Sequence, residues 1–303
     1  MRGDFVEKHA DTACSEAGSP PTYRQIVAKA VRYLTAHHVP DPAVAAELLV
    51  ARLLACGRGL IASCLDRPVP PSHVEAMRRA LRRLAADEPL QYVLGEWDFR
   101  TLTLRCDPRA LIPRPETEEL VTRVLKFLEG RSNPFVIDVG TGTGAIILSI
   151  AAEFKGPGTF WGTDISPKAI DLANFNADFT RLAGRAHFSV MDGLDGFDEP
   201  GLADVIVSNP PYIAHDMCAA LDPRILRHEP LLALDGGAEG LDFYDRYLGD
   251  ALNLLKPGGA VFFEIGNDQG EALRELMTSY GFSNIRIEKD FAGLDRYASA
   301  VLE

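Results

Sequence analysis

Phe135-Val136-Ile137-Asp138-Val139-Gly140-Thr141-Gly142-Thr143-Gly144-Ala145-Ile146-Ile147-Leu148 reads as a short apolar strand, a glycine turn and an apolar helix. Glycine lets the backbone turn sharply and approach a ligand closely. The spacing is G-x-G-x-G, not the G-x-G-x-x-G of dinucleotide binders. The next strand, Thr159-Phe160-Trp161-Gly162-Thr163-Asp164, ends in an acid about 24 residues after Gly140. An acid there can accept both ribose hydroxyls of a nucleoside. Ser166-Pro167 then opens a helix, with proline at its first position. Asp192 follows the strand from Ala186 to Val190 and is placed to receive an adenine amino group. Singly, each acid reads equally well as a loop acid. In series behind successive strands, the two read as a nucleoside site.

From Pro113 onward strands alternate with helices, which predicts an α/β, doubly wound sheet. Seven strands fall near 134–139, 159–163, 186–190, 203–208, 260–265, 284–288 and 296–302. A helix from Tyr244 to Leu255 and a Pro257-Gly258-Gly259 turn precede the fifth. No helix separates the last two, so they should be antiparallel neighbours. Ligands of such sheets sit beyond the C-terminal strand ends. Gly140, Asp164, Asp192 and Asn209 all fall there.

Asn209-Pro210-Pro211-Tyr212 ends the apolar run Ala203-Asp204-Val205-Ile206-Val207-Ser208. An amide or exocyclic amino nitrogen is a poor nucleophile, because its lone pair is delocalised. An enzyme that alkylates it must hold the flat NH2 group between two fixed acceptors. The Asn209 side-chain carbonyl can be one, and the Pro210 backbone carbonyl, stiffened by consecutive prolines, the other. Tyr212 and Pro211 can pack on the planar group. A Pro-Pro turn capped by asparagine is the bland alternative.

Together these stretches resemble a class I S-adenosylmethionine-dependent N-methyltransferase. Two more narrow the resemblance: Gln91-Tyr92-Val93-Leu94-Gly95-Glu96-Trp97-Asp98-Phe99, and Leu111-Ile112-Pro113-Arg114-Pro115-Glu116-Thr117-Glu118. With Asn-Pro-Pro-Tyr they are similar to the release-factor glutamine methyltransferases, the HemK/PrmC family. The likeness runs from about Thr22 to the C-terminus and includes His228-Glu229-Pro230, Leu234 to Leu241, and Asp290 to Arg296. It implies methyl transfer from S-adenosylmethionine to the Gly-Gly-Gln glutamine amide of peptide chain release factors. Asn209, Pro210 and Tyr212 would be catalytic. Asn209, Pro210, Pro211, Tyr212 and Arg114 would meet the substrate. Gly140, Thr141, Gly142, Thr143, Gly144, Asp164, Asp192, Gly193 and Asn209 would hold the cofactor. Gly193 departs from the family, which often has an aromatic residue there. Arg114 reads equally as a structural ion pair; Glu264 reads as a structural hydrogen-bonder, with a base as the weaker alternative. An N6-adenine methyltransferase of DNA or RNA is an alternative, since Asn-Pro-Pro-Tyr suits adenine too. A non-enzymatic cofactor-binding or assembly protein is another.

The chain has 303 residues, 47% of them hydrophobic, a net charge of −12 and a pI near 5.1. That acidity argues against a protein that coats nucleic-acid phosphates. Arg78, Arg79, Arg82 and Arg83 read as a solvated helix face. Cys14, Cys56, Cys64, Cys106 and Cys218 form no C-x-x-C pair, so no metal site is expected. Free thiols fit a reducing, cytoplasmic setting. No signal sequence or membrane span is read, and a monomer is expected.

Four parts are expected. Residues 1–20 read as a disordered tail. Residues 21–86 form a helical bundle that recognises the substrate. Ile26, Ala30, Val31 and Leu34 should face inward, then Val44, Leu48, Ala51 and Ala55 after the acid cap Asp41-Pro42. A Ser72/Glu75 capping box should open the next helix, with Val74, Met77, Leu81 and Leu84 inward. His37 and His38 at a helix end fit the helix dipole better than a ligand role. Residues 91–112 read as a β-hairpin linker, and 113–303 as the methyltransferase domain.

Overall fold

The computed structural model describes residues 20–303. The expected tail, with Cys14, lies outside the described residues except for Pro20. The chain divides into two compact units, one ending at Ala86 and one running from Asp87 to Glu303.

The first unit is helical: α1 (Tyr23–Ala36), α2 (Pro42–Leu53), a 3-10 turn (Arg58–Cys64) and α3 (Pro71–Ala85). Thr22 and Gln25 cap α1 reciprocally. Three helix expectations do not hold. Ser72 lies inside α3 and caps nothing, because the chain already turns helical at Pro71. Asp41 precedes α2 in a left-handed conformation and makes no side-chain cap bond. The inward face of α2 is Ala45, Ala46, Leu49, Val50 and Ala51, while Ala55 is exposed. That helix is apolar nearly all round, so its periodicity could not fix the buried side. Arg78, Arg79 and Arg82 share Glu75 on an exposed face.

The second unit opens with α4 (Leu90–Leu94) and the hairpin β1 (Glu96–Phe99) and β2 (Leu102–Arg105). The hairpin is more than a linker. Phe99 and Leu104 are buried in a main core. The amide of buried Asn176 accepts from Arg105 N at 2.7 Å and donates to Thr143 O at 2.9 Å. This bond set ties the hairpin to the glycine turn. There follow α5 (Pro115–Phe127), β3 (Phe135–Val139), α6 (Ala145–Glu153), β4 (Thr159–Asp164), α7 (Pro167–Phe179), β5 (Ala186–Val190) and β6 (Ala203–Ser208). Short helices α8 (His215–Cys218) and α9 (Pro223–His228) precede α10 (Asp242–Leu254), β7 (Leu255–Glu264), α11 (Gly270–Ser279), β8 (Ser283–Lys289) and β9 (Asp295–Val301).

The sheet order is β5-β4-β3-β6-β7-β9-β8, parallel except where β9 meets β7 and β8. Val136, Val205, Val207 and Phe262 pack toward α5 and α6, while Ile137, Ile206, Val261 and Phe263 pack toward α10 and α11. That is the period of two of a sheet covered on both faces. Pro257-Gly258-Gly259 lies inside β7 instead of before it. The strand starts at Leu255 and shifts register opposite Ala203 and Val205, so the turn residues make an irregularity within the ladder.

Candidate active site

The chain reverses its progress across the sheet at β3. Strands β4 and β5 lie on one side of it, β6 and β7 on the other. A crevice opens beyond the carboxyl ends at such a point. Register sets what meets there: Val139 pairs with Thr163 on one side and Ser208 on the other. The next residues, Gly140, Asp164 and Asn209, therefore emerge side by side. A cleft lined by Gly140, Asp164 and Asn209 runs along this edge.

The glycine turn is braced from below. Thr141 donates its amide to Thr163 O at 2.8 Å and its hydroxyl to Asp138 Oδ2 at 2.6 Å. Burial pushes the Asp138 carboxyl up to about 7. Gly142 has φ 55°, and its N–H reaches Asp164 Oδ2 at 3.0 Å. Gly140 has φ 72°, and a Cβ there would meet nothing within 4 Å. The missing side chain leaves room for a ligand against the backbone. The other Asp164 oxygen accepts from Ser166 N at 2.9 Å. Burial raises this carboxyl, and those two amide bonds oppose the rise. Each oxygen keeps a lone pair for a ribose hydroxyl. These features fit a bound nucleoside.

Asp192 and Gly193 also line the cleft. Arg246 of α10 holds Asp192 Oδ1 at 2.7 Å and Asp195 at 2.9 Å. Gly193 has φ 63°, and a Cβ there would stand 3.2 Å from the Tyr247 ring. Phe243 and Tyr247, one turn apart on α10, present aromatic surface to the cleft. The sequence reading missed both. Their only local signal is an i, i+4 aromatic pair, which helices commonly bury. Gly144 does not line the cleft. It starts α6 and packs close to Leu148, Phe188 and Ala173.

Asn209 and Pro211 line the cleft, with Pro210 buried between them. Tyr212 is not on the cleft wall. Its ring packs on the α10/α11 core, and its hydroxyl lies 3.5 Å from Arg296. The loop is clamped through its backbone. Gln269 donates to Tyr212 O at 3.0 Å and to Gly240 O at 3.1 Å. A Cβ at Gly236 would stand 2.6 Å from Pro211 O, and one at Gly240 2.3 Å from Tyr212 O. Only glycine lets those two segments approach so closely.

The Asn209 amide is fixed from the side. Its Nδ2 donates to Thr117 Oγ1 at 3.2 Å, and that hydroxyl donates to Glu264 Oε2 at 2.6 Å. The remaining Asn209 terminus is its oxygen, an acceptor, on a residue that lines the cleft. Arg114 also lines the cleft, with its guanidinium 2.6 Å from Glu229 Oε1. Glu229 is buried and also accepts from Ile112 N at 3.2 Å. The ion pair joins Pro-Arg-Pro-Glu-Thr to His228-Glu229-Pro230, two stretches far apart in the chain. Among the described residues no cluster could hold a metal ion, and no helix is long and apolar enough to cross a membrane. The described cysteines, Cys56, Cys64, Cys106 and Cys218, are free.

Residues 25–95 match the PrmC N-terminal domain, and residues 131–295 match a methyltransferase domain. The release factor glutamine methyltransferase of Moorella thermoacetica is 39% identical over 91% of this chain and 96% of its own. That of Bordetella pertussis is 37% identical over 86% and 95%. The chain belongs to the release factor glutamine methyltransferase family. Its fold is shared more widely. The catalytic domain of hMettl16, solved with an RNA hairpin, superposes with a TM-score of 0.56 at 18% identity, covering 72% of this chain and 82% of that one. The two domain matches lie either side of the hairpin and Arg114, and the second spans the glycine turn, Asp164 and Asn209.

Proposed function

We propose that this chain methylates the side-chain amide nitrogen of the Gly-Gly-Gln glutamine in peptide chain release factors, in the cytoplasm where those factors act. The names of its relatives support the substrate, and one observation carries the chemistry. Asn209 is held by Thr117 through its Nδ2 and lines the cleft one residue beyond β6, which pairs with the strand leading into the glycine turn; its oxygen is left as an acceptor.

S-adenosylmethionine supplies an electrophilic methyl group on a sulfonium, and its nucleoside fits the cradle of Gly140, Thr141, Gly142, Thr143, Asp164, Asp192 and Gly193. Asn209 Oδ1 and the Pro210 carbonyl take the two N–H groups of the glutamine amide. Pro211 packs against its plane, and Tyr212 holds the loop that carries both acceptors. Positioning of a near-attack geometry provides most of the rate. The two acceptors also stabilise the positive charge that develops on nitrogen. The methylated nitrogen is acidic, so its surplus proton leaves to water without a strong base.

A single loop offers too little surface to select one protein. Specific complexes bury about 1,200–2,000 Å². The helices of residues 21–86 supply the further docking surface in this reading. Incubation of the full chain with methyl-labelled cofactor and either release factor or DNA tests the proposal. Label should enter the release factor and be absent when its Gly-Gly-Gln glutamine is replaced. Label in DNA alone would favour the adenine reading.

A further inference from the structure

Asn209 can present either end of its amide to the cleft, and only one end works. A substrate NH2 group needs an acceptor, so Oδ1 must face it. The selecting element lies beside Asn209: Thr117 borders the cleft, and Glu264 is buried next to it. Thr117 is 5% exposed and Glu264 is 2% exposed. Their oxygens lie 2.6 Å apart, and Thr117 Oγ1 lies 3.2 Å from Asn209 Nδ2.

We propose that Thr117 and Glu264 are positioning residues that set the orientation of the Asn209 amide, and that the protonation state of Glu264 switches it. This rests on the reading of Asn209 as the substrate acceptor. An ionised Glu264 can only accept, so the Thr117 hydrogen points at it. Thr117 oxygen is then left to accept, and it takes an N–H of Asn209. The asparagine oxygen is thereby turned to the substrate. A protonated Glu264 donates to Thr117 instead. The freed hydroxyl hydrogen of Thr117 then draws in Asn209 Oδ1, and the amide presents NH2 against NH2.

The setting of Glu264 allows such a switch. Burial pushes its carboxyl up to about 7, while the Thr117 hydrogen bond opposes the rise. Arg296 and Arg114 lower it further, and Glu116 raises it. Tyr212, Tyr244 and Tyr297 face it from the loop after β6, from α10 and from β9. The Tyr244 hydroxyl donates to the Glu264 backbone carbonyl at 2.8 Å.

Turnover of the full chain on release factor, followed against pH, tests the switch. The wild-type kcat should fall on the acid side, and E264Q should lack that limb because it cannot titrate. Thr117→Val should lower kcat roughly tenfold or more, since a small misplacement of a reacting group is costly. Cofactor affinity should stay within about twofold, and Thr117→Ser should restore kcat. An acid limb that survives in E264Q overturns the switch. Equal loss in the Val and Ser variants overturns the positioning role. A second readout needs no substrate: the side-chain NH2 resonance of 15N-labelled Asn209, assigned with Asn209→Ala. It should move with pH in the wild type and hold still in E264Q. A resonance that ignores pH in the wild type overturns the proposal, whichever molecule is methylated. A moving resonance without turnover on release factor instead sinks the functional reading and leaves the switch standing.

Discussion

Replacing Asp164 should cost cofactor affinity in an amount the geometry bounds. One oxygen takes Gly142 N–H at 3.0 Å and the other Ser166 N–H at 2.9 Å. Each has one further lone pair for a ribose hydroxyl. Asp164→Asn keeps one such oxygen and turns the other into a donor. That NH2 would oppose a backbone N–H and lose one hydroxyl partner. A hydrogen bond to a charged group contributes about 1.5–3 kcal/mol, so affinity should fall about 10- to 150-fold. The opposed amide costs a further 1–3 kcal/mol or so of folding stability. For a chain of this size that lowers the melting temperature by several degrees. Calorimetry with S-adenosylhomocysteine measures the first quantity, and thermal unfolding without ligand measures the second. Burial raises the Asp164 carboxyl above the ordinary aspartate range. Wild-type binding should therefore weaken as pH falls through that raised value, and binding to the Asn variant should not. A folded Asn variant with affinity within twofold of wild type would refute the ribose assignment.

Asn209→Ala should lower kcat about 10²- to 10³-fold, the usual loss for a preorganised polar contact, with most cofactor affinity kept; steady-state kinetics beside calorimetry checks the split. Gly193→Phe should weaken cofactor binding more than tenfold, because φ is 63° there and the Tyr247 ring stands 3.2 Å from a new Cβ; unchanged affinity would show that the ring can move aside. Gly240→Ala should destabilise the fold by about 1–3 kcal/mol and abolish turnover, because its Cβ would stand 2.3 Å from Tyr212 O; denaturant unfolding measures the first part. Asp138 is raised to about 7 from 3.8, so its contribution to stability is complete below about pH 4 and is lost as pH rises through 7. Asp138→Asn should therefore raise stability at pH 8 relative to wild type more than at pH 5, as read from paired melting curves.

The sheet and the position of the cleft could be read from the chain alone. Parallel strands covered on both faces are continuous apolar runs, such as Phe135–Val139 and Ala203–Ser208, and the glycine turn marks where one ends. Asp164 ends its strand and Asn209 directly follows its own, so locating the strands locates them. The antiparallel end of the sheet was equally plain, since no helix fits between β8 and β9. Local pattern failed where several readings share one composition. The face of α2 is ambiguous because nearly all its residues are apolar, and Pro257-Gly258-Gly259 reads as a turn although it forms a bulge within β7.

What only the tertiary structure decided is which distant groups hold the site in place. Asn209 meets Thr117 across 92 residues, Arg114 meets Glu229 across 115, and Thr117 meets Glu264 across 147. Tyr212 was expected to pack on the substrate, but its ring supports the loop from the α10/α11 side. Gly236 and Gly240 matter because a carbonyl from another segment lies where their Cβ atoms would be. A strand or turn reflects the preferences of adjacent residues, which the sequence carries locally. A side-chain hydrogen bond needs partners within about 3 Å, and that proximity exists only once strand order and register have brought separate segments to one edge.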